Sequence, residues 1–311
     1  MRQVFVKKEE IGEFGKPVEE RTTEELLKYG VINIDKPKGP TSHQVSDYVK
    51  KIVGVSKAGH SGTLDPSVTG VQPIAIGRAT RITQFLLTAP KEYVGIMHLH
   101  KDVGEELIKQ IASEIFTGKI RQLPPVKSAV KRQERTREIY EFDILEVIGR
   151  DVLFRIKCQA GTYIRKVASE FGKKHGFGAH MAALRRTQAG PFREEDNLVT
   201  LNDLKDALHY FKEEGNEKYL RHCIQPIENA VKHLAKCWLF DTTIESISHG
   251  RDLGIPGISK LENFKKGELV ALMSLKGELI AIGEALMSAV EVNTSQKGLA
   301  VKTRKVFIEV K

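Results

Sequence analysis

The chain is poor in cysteine and contains no long apolar run. Its three cysteines, Cys158, Cys223 and Cys237, are odd in number and form no C-x-x-C pair. That spacing offers neither a disulfide framework nor a zinc site, so the thiols are expected to be reduced and mostly buried. No stretch approaches the roughly 18 apolar residues of a membrane-spanning helix, and the first ten residues hold no signal-peptide core. The expectation is an intracellular protein without membrane contact. Internal repeats and low-complexity tracts are absent as well. What the chain does have is an excess of base: 49 Lys and Arg against 40 Asp and Glu, a net charge of +9. Such a balance favours a polyanionic partner, nucleic acid first, without implying sequence readout. With 311 residues, 41% of them hydrophobic, the chain is long enough for two domains.

Residues 1–25 set Glu9, Glu10, Glu13, Glu19 and Glu20 around Gly12, Gly15 and Pro17, which reads as an acidic extension rather than a helix or a core strand. A mixed α and β domain is expected over 26–229. Its signals begin with a strand at 31–34, the turn Lys36-Pro37-Lys38-Gly39, and a helix opened by the capping-box pair Thr41 and Gln44, with Val45, Val49, Ile52 and Val53 on one face. Further strands are predicted at 92–99, 143–147 and 152–158. A helix at 105–116 carries Leu107, Ile108, Ile111 and Ile115. Near residue 230 the rhythm changes. Short apolar runs at 237–240, 268–273, 278–282 and 306–310, separated by Gly250, Gly257, Gly267 and Gly277, predict a small β-barrel over 230–311. One helix interrupts it, with Thr242 and Glu245 as capping box, Ile244 and Ile247 inward, and Gly250 at its C-terminal end.

The most specific local feature is Gly59-His60-Ser61-Gly62-Thr63-Leu64-Asp65-Pro66, followed by Thr69-Gly70, which puts one carboxylate on a glycine-flanked loop beside a histidine. Four more segments accompany it in order: Ile34 to Ser42, Lys91-Glu92-Tyr93, Gly161-Thr162-Tyr163-Ile164-Arg165, and Leu184-Arg185-Arg186-Thr187. Together they resemble the TruB-type pseudouridine synthases over nearly the whole chain. The resemblance implies an α+β fold, with a mixed α/β catalytic domain followed by a PUA domain, an RNA-binding pseudo-barrel.

Pseudouridylation breaks the bond between ribose C1′ and uracil N1, turns the base and rejoins C1′ to C5. Nothing is consumed, so no cofactor and no metal are implied. The chemistry needs an ionised carboxylate and a sleeve for the detached uracil. By the resemblance Asp65 is that carboxylate, either attacking C1′ or removing a ribose proton to give a glycal. Arg165, in a first helical turn where a cation opposes the helix dipole, is its counter-charge. Tyr93 stacks on the base, Tyr163 holds the far side of the pocket and is placed for proton exchange at C5, and Leu184 is an apolar wall. His60 assists base extrusion, and Lys36 and Lys38 brace the loop or touch phosphate. Gln72, where the family has an apolar residue, is a departure just behind the loop.

Between residues 119 and 137, seven cations face Glu134 alone, a net of +6. Within this strip Pro125 to Arg132 and Arg135-Thr136-Arg137 resemble the dyskerin-type H/ACA enzymes, Lys127 replacing the tyrosine of stand-alone bacterial ones. The acidic extension points the same way, since in that branch it packs on the PUA domain. The implied partners are an H/ACA guide RNA, a substrate RNA and small H/ACA proteins. Lys127, Lys131, Arg132, Arg135, Arg137, Arg185 and Arg186 are the RNA-contacting residues under that reading. Two alternatives remain open: a guide-free synthase acting on the tRNA T-arm, and a non-catalytic RNA-binding scaffold.

Overall fold

Alternating apolar and polar positions build two sheets in the computed structural model, which describes residues 2–124 and 131–308. In the larger sheet the strand order is Ile224–Pro226, Gly30–Lys36, Thr69–Ile76, Ala179–Ala189, Lys91–Leu99, Asp151–Cys158, Arg135–Ile148 and Gly118–Gln122, with Ala58–His60 and Phe192–Arg193 added at the sides. Among the described residues every pairing between these strands is antiparallel except one. Thr69 and Gly70 run parallel to Arg185 and Arg186, joining the two halves of the sheet. Gly70 has φ +102°, and a Cβ there would lie 2.2 Å from the Arg186 carbonyl, so only glycine lets the strands meet.

Helices cover this sheet where their apolar faces dictate. The helix Ser42–Val53 starts at the expected capping box, Thr41 Oγ1 accepting from Gln44 N–H and Gln44 Oε1 accepting from Thr41 N–H, and buries Val45, Val49 and Val53. In Glu105–Ile115, Ile108, Ile111 and Ala112 are buried, but Leu107 and Ile115 are 49% and 44% exposed. The expected apolar stripe is therefore narrower than its four residues implied. The strand expected at 143–147 runs Arg135–Ile148, because register shifts at Ile139/Glu141 and Ile144/Glu146 break the alternation that would have disclosed its length.

The second sheet orders Val4–Val6, Ile258–Glu262, Ala235–Leu239, Leu269–Met273, Leu279–Ala285, Leu299–Val306 and Leu253–Gly254. Its last ladder ends at Val306, where the sequence predicted a strand to begin, and Phe307 instead enters the core between the sheets beside Val31, Ile227 and Met273. Residues 309–310 of that expected strand lie outside the described residues. The helix Asp241–Ser248 has Phe240 at its N-cap and no side-chain cap, so the expected Thr242 capping box is not formed. Asp241 is engaged elsewhere: its Oδ2 accepts from the backbone N–H of Glu13 and Phe14.

That contact belongs to the N-terminal segment. The segment supplies no core strand, as expected, but Val4–Val6 pairs with Ile258–Glu262 along the sheet edge. Three residues are too few for alternation to show, and the ladder is supplied by the partner strand. Arg21, 8% exposed, ties the parts together, its two Nη atoms each 2.8 Å from a Glu228 oxygen and Nη2 3.4 Å from Glu278. All three cysteines are free and buried. Among the described residues no helix is long and apolar enough to cross a membrane.

Candidate active site

Five segments converge on a cavity of about 540 Å³ in the larger sheet, its walls including Asp65, Tyr93, Tyr163, Arg165 and Leu184. Tyr93 reaches it because Lys91–Leu99 alternates buried and less buried positions, which sends Lys91 and Tyr93 to one side. Leu184 pairs opposite Gly95 on the neighbouring strand. Arg165 is the second residue of the helix Ile164–Lys174, anchored by buried Ile164, Val167, Ala168 and Phe171. From there its Nε lies 2.9 Å from Asp65 Oδ2. The two side chains are 49% and 41% exposed, so this pair faces an open mouth rather than the closed pocket that the chemistry requires.

Below Asp65 the loop is held mainly by backbone contacts to buried polar side chains. Ser42 Oγ accepts from Leu64 N–H and donates to the Leu64 carbonyl, at 2.8 and 3.2 Å. Lys36 is fully buried and its Nζ donates to the carbonyls of Pro37, Pro66 and Val68. Burial and the nearby Arg186 lower its pKa, while Asp65 opposes that shift. Of the roles open to Lys36, the structure shows bracing: its ammonium is buried and taken up by three backbone carbonyls. Lys38 is exposed on the turn.

Arg186 corrects another expectation. Only 1% exposed, it donates Nε to the Val71 carbonyl and both terminal nitrogens to the Gly62 carbonyl, so it floors the pocket as a buried brace rather than standing on the surface. Arg185 is likewise committed, bidentate to Asp35 at 2.9 Å and paired with Glu194. Its charge is cancelled by two carboxylates. Tyr93 faces Arg186, and burial raises the pKa of its phenol, keeping the hydroxyl protonated and able to donate.

His60 stands behind the loop, outside the cavity wall. Its Nδ1 is 3.1 Å from Ser46 Oγ, its Nε2 3.4 Å from Thr63 Oγ1, and His43 meets its ring edge-on at 4.7 Å. Burial, with the neighbouring His43 and Arg186, pulls its pKa down to about 4. Gln72 fits the same scaffold: its Nε2 donates to the Ser42 carbonyl, while Oε1 has no hydrogen-bond partner among the described residues. In the basic strip Lys131 and Arg132 are exposed, and Arg135 and Arg137 half-buried. Arg137 covers Gly161 at the pocket rim, its Nε and Nη2 3.2 Å from where a Cβ would sit. Lys127 lies outside the described residues.

Two site residues carry no signal that assigned them a role. Lys91, 5% exposed, lines the cavity and donates to the carbonyls of Leu86, Leu87 and Ala89 at 2.7 to 3.0 Å, capping the short helix Thr83–Thr88 whose Leu87 forms the lip. Burial and Arg186 bring its ammonium down to about 7. Gln122, 2% exposed, clamps Tyr163: its Oε1 accepts from Tyr163 N–H at 3.0 Å and its Nε2 donates to the Tyr163 carbonyl at 3.2 Å. Lys91 stood inside a recognised motif; Gln122 stood in none, next to Arg121 in the basic strip.

Comparison with known proteins agrees with this layout. Family models match in succession: the TruB family pseudouridylate synthase N-terminal domain over 50–164, the tRNA pseudouridylate synthase B C-terminal domain over 165–232, the PUA domain over 236–307, and the DKCLD (NUC011) domain over 2–46. A "Probable tRNA pseudouridine synthase B" of Thermococcus kodakarensis is 52% identical over 99% of this chain and 92% of that protein. A protein of the same name from Methanothermobacter thermautotrophicus is 54% identical over 96% and 91%. Among solved structures, a Cbf5-Nop10-Gar1 complex aligns at 51% identity and TM-score 0.94 over 99% of this chain and 94% of that one. An H/ACA RNP bound to a substrate RNA containing 2′-deoxyuridine aligns at 48% identity and TM-score 0.91 over 99% and 95%. An α+β domain with one Asp–Arg pair beside two tyrosines, followed by a PUA domain, and relatives matched from end to end at half their residues, place this chain in the TruB family of pseudouridine synthases.

Proposed function

We propose that this pseudouridine synthase works as the catalytic subunit of an H/ACA guide-RNA ribonucleoprotein, with the N-terminal segment 1–25 and the PUA domain from 230 onward serving as one RNA-holding platform beside the catalytic domain 26–229. The observation that carries this reading is the open Asp65–Arg165 pair: an active site left exposed in the free chain needs bound RNA to enclose it. End-to-end likeness to structures titled as H/ACA assemblies supports the same reading.

In the proposed mechanism the target uridine leaves its stack and enters between Tyr93 and the Tyr163 side, with Leu184 against the base. Asp65 serves as nucleophile or base while Arg165 holds the carboxylate charged and aimed. The C1′–N1 bond breaks, the free uracil turns inside the sleeve, and C1′ joins C5. The proton displaced from C5 leaves, N1 ends protonated, and atoms balance without any added reagent. Tyr93, held protonated by burial, donates a hydrogen bond rather than accepting a proton.

The names of the sequence relatives favour a second reading, a tRNA synthase working without a guide. Purified protein is incubated with an rRNA fragment or a tRNA, each with and without a matching guide RNA and H/ACA proteins. Guide-dependent pseudouridine in the rRNA fragment supports the proposal; equal tRNA modification without guide, and none in the fragment, replaces it by the tRNA reading.

A further inference from the structure

A second cavity, of about 520 Å³, opens on the catalytic domain where three segments meet, and Lys28, Lys57, Arg78 and Arg81 line it together with Ser56 and Thr80. No acidic side chain contributes to its wall. Lys28 lies in the last turn of the helix Thr23–Tyr29, Lys57 precedes the strand Ala58–His60, and Arg78 and Arg81 belong to the 3-10 turn Gly77–Ile82. These segments are locked by backbone. Gly77 N–H donates to the Lys57 carbonyl at 2.8 Å, and with φ +55° it approaches the Lys28 carbonyl so closely that a Cβ would lie 2.3 Å from that oxygen. The cations are thus presented at fixed spacing rather than on a mobile loop.

Local structure accounts for little of this charge. A lysine in the last turn of a helix complements the helix dipole, which covers Lys28. Arg78 stands 5.8 Å over the Tyr29 ring. Lys57 and Arg81 are exposed and, like Lys28, have no ion-pair partner among the described residues. Lys28, Lys57 and Arg81 around one concavity repel one another, and an anion inside it would reverse that cost. The strand Ala58–His60 runs from Lys57 toward the loop that bears Asp65, and eight extended residues span at most about 28 Å. The cavity and Asp65 are therefore close enough for one RNA strand to reach both.

We propose that this cavity is a backbone-phosphate site for RNA, separate from the Asp65 pocket. It rests on RNA being the substrate, and the phosphodiester is the recognised group.

The test uses the full chain carrying Lys28→Gln, Lys57→Gln and Arg81→Gln together, leaving Arg78 on its tyrosine. Affinity for a fluorescent substrate RNA is measured over a salt series beside wild type. Three lost phosphate contacts should flatten the log–log salt dependence by about 2 units for single-stranded RNA. The conservative set Lys28→Arg, Lys57→Arg and Arg81→Lys should keep the wild-type slope, so that a folding defect in the first variant cannot imitate the result. An unchanged slope in a folded triple variant overturns the proposal. If, with the slope unchanged, inorganic phosphate raises the melting temperature of wild type but not of the variant, the site takes a small anion instead. If, with the slope unchanged, the variant loses a protein partner, the cavity is a protein dock. Wild-type turnover in the same preparation keeps the two readings apart: no pseudouridine there sinks the enzymatic reading, whereas the slope alone decides this one.

Discussion

Gln122→Leu isolates the clamp on Tyr163, because leucine keeps most of the volume and removes both polar groups. The two broken hydrogen bonds are unequal. The Tyr163 carbonyl still accepts from Lys166 and Val167 N–H at 2.9 and 3.1 Å, so it stays satisfied. Tyr163 N–H loses its acceptor, and a partly buried donor left alone costs about 1–3 kcal/mol. If that cost appears as a local equilibrium in which residues 161–165 leave their native path, the productive geometry is depopulated by roughly 5- to 150-fold. Both Tyr163 and the Arg165 that follows it would share the loss. Single-turnover release of tritium from C5-labelled uridine reads the rate, since C5 loses its hydrogen when C1′ attaches, and urea denaturation reads global stability. The expected result is a rate lowered at least about fivefold with a small shift in the denaturation midpoint. A wild-type rate and an unchanged midpoint would show that the clamp does nothing for the site.

Tyr93→Phe keeps the stacking face and Tyr93→Ala removes it, so the first should be mild and the second severe in the same rate assay; equal losses would shift the role to the hydroxyl. His60 makes a pH prediction. Its folded pKa of about 4 lies below the ordinary 6.5, so the folded state resists the proton that the unfolded chain accepts. The stability it secures is complete above pH 6.5 and is lost as the pH falls from there toward 4. His60→Asn should therefore show a shallower fall in urea midpoint between those values than wild type, and parallel curves would contradict the sign.

Much of the site was legible in the sequence because its functional side chains sit in short contiguous motifs. Asp65, Arg165, Tyr93, Tyr163 and Leu184 each stood in such a motif, and all five reach one cavity. What misled was burial. Arg185-Arg186 reads as a basic pair on a strand, yet alternation sends Arg186 inward to hold Gly62 and leaves Arg185 between two carboxylates. Lys36 looked like a loop cation and is a fully buried brace. In the fold, the full length of the bulged strand Arg135–Ile148 and the whole of the edge strand Val4–Val6 escaped notice, since one breaks the period-two rule and the other borrows its ladder from residues more than 250 positions away. Gln122 gave no warning, because its role is fixed by where Tyr163 arrives in space.

Asp65→Asn tests the central claim most directly. The substitution is nearly isosteric, still offers Arg165 an oxygen, and removes the charge and most of the nucleophilicity. RNA binding and single-turnover pseudouridine formation are measured on the same preparation. The account predicts a folded protein that retains RNA and forms no detectable pseudouridine; substantial residual turnover would contradict it.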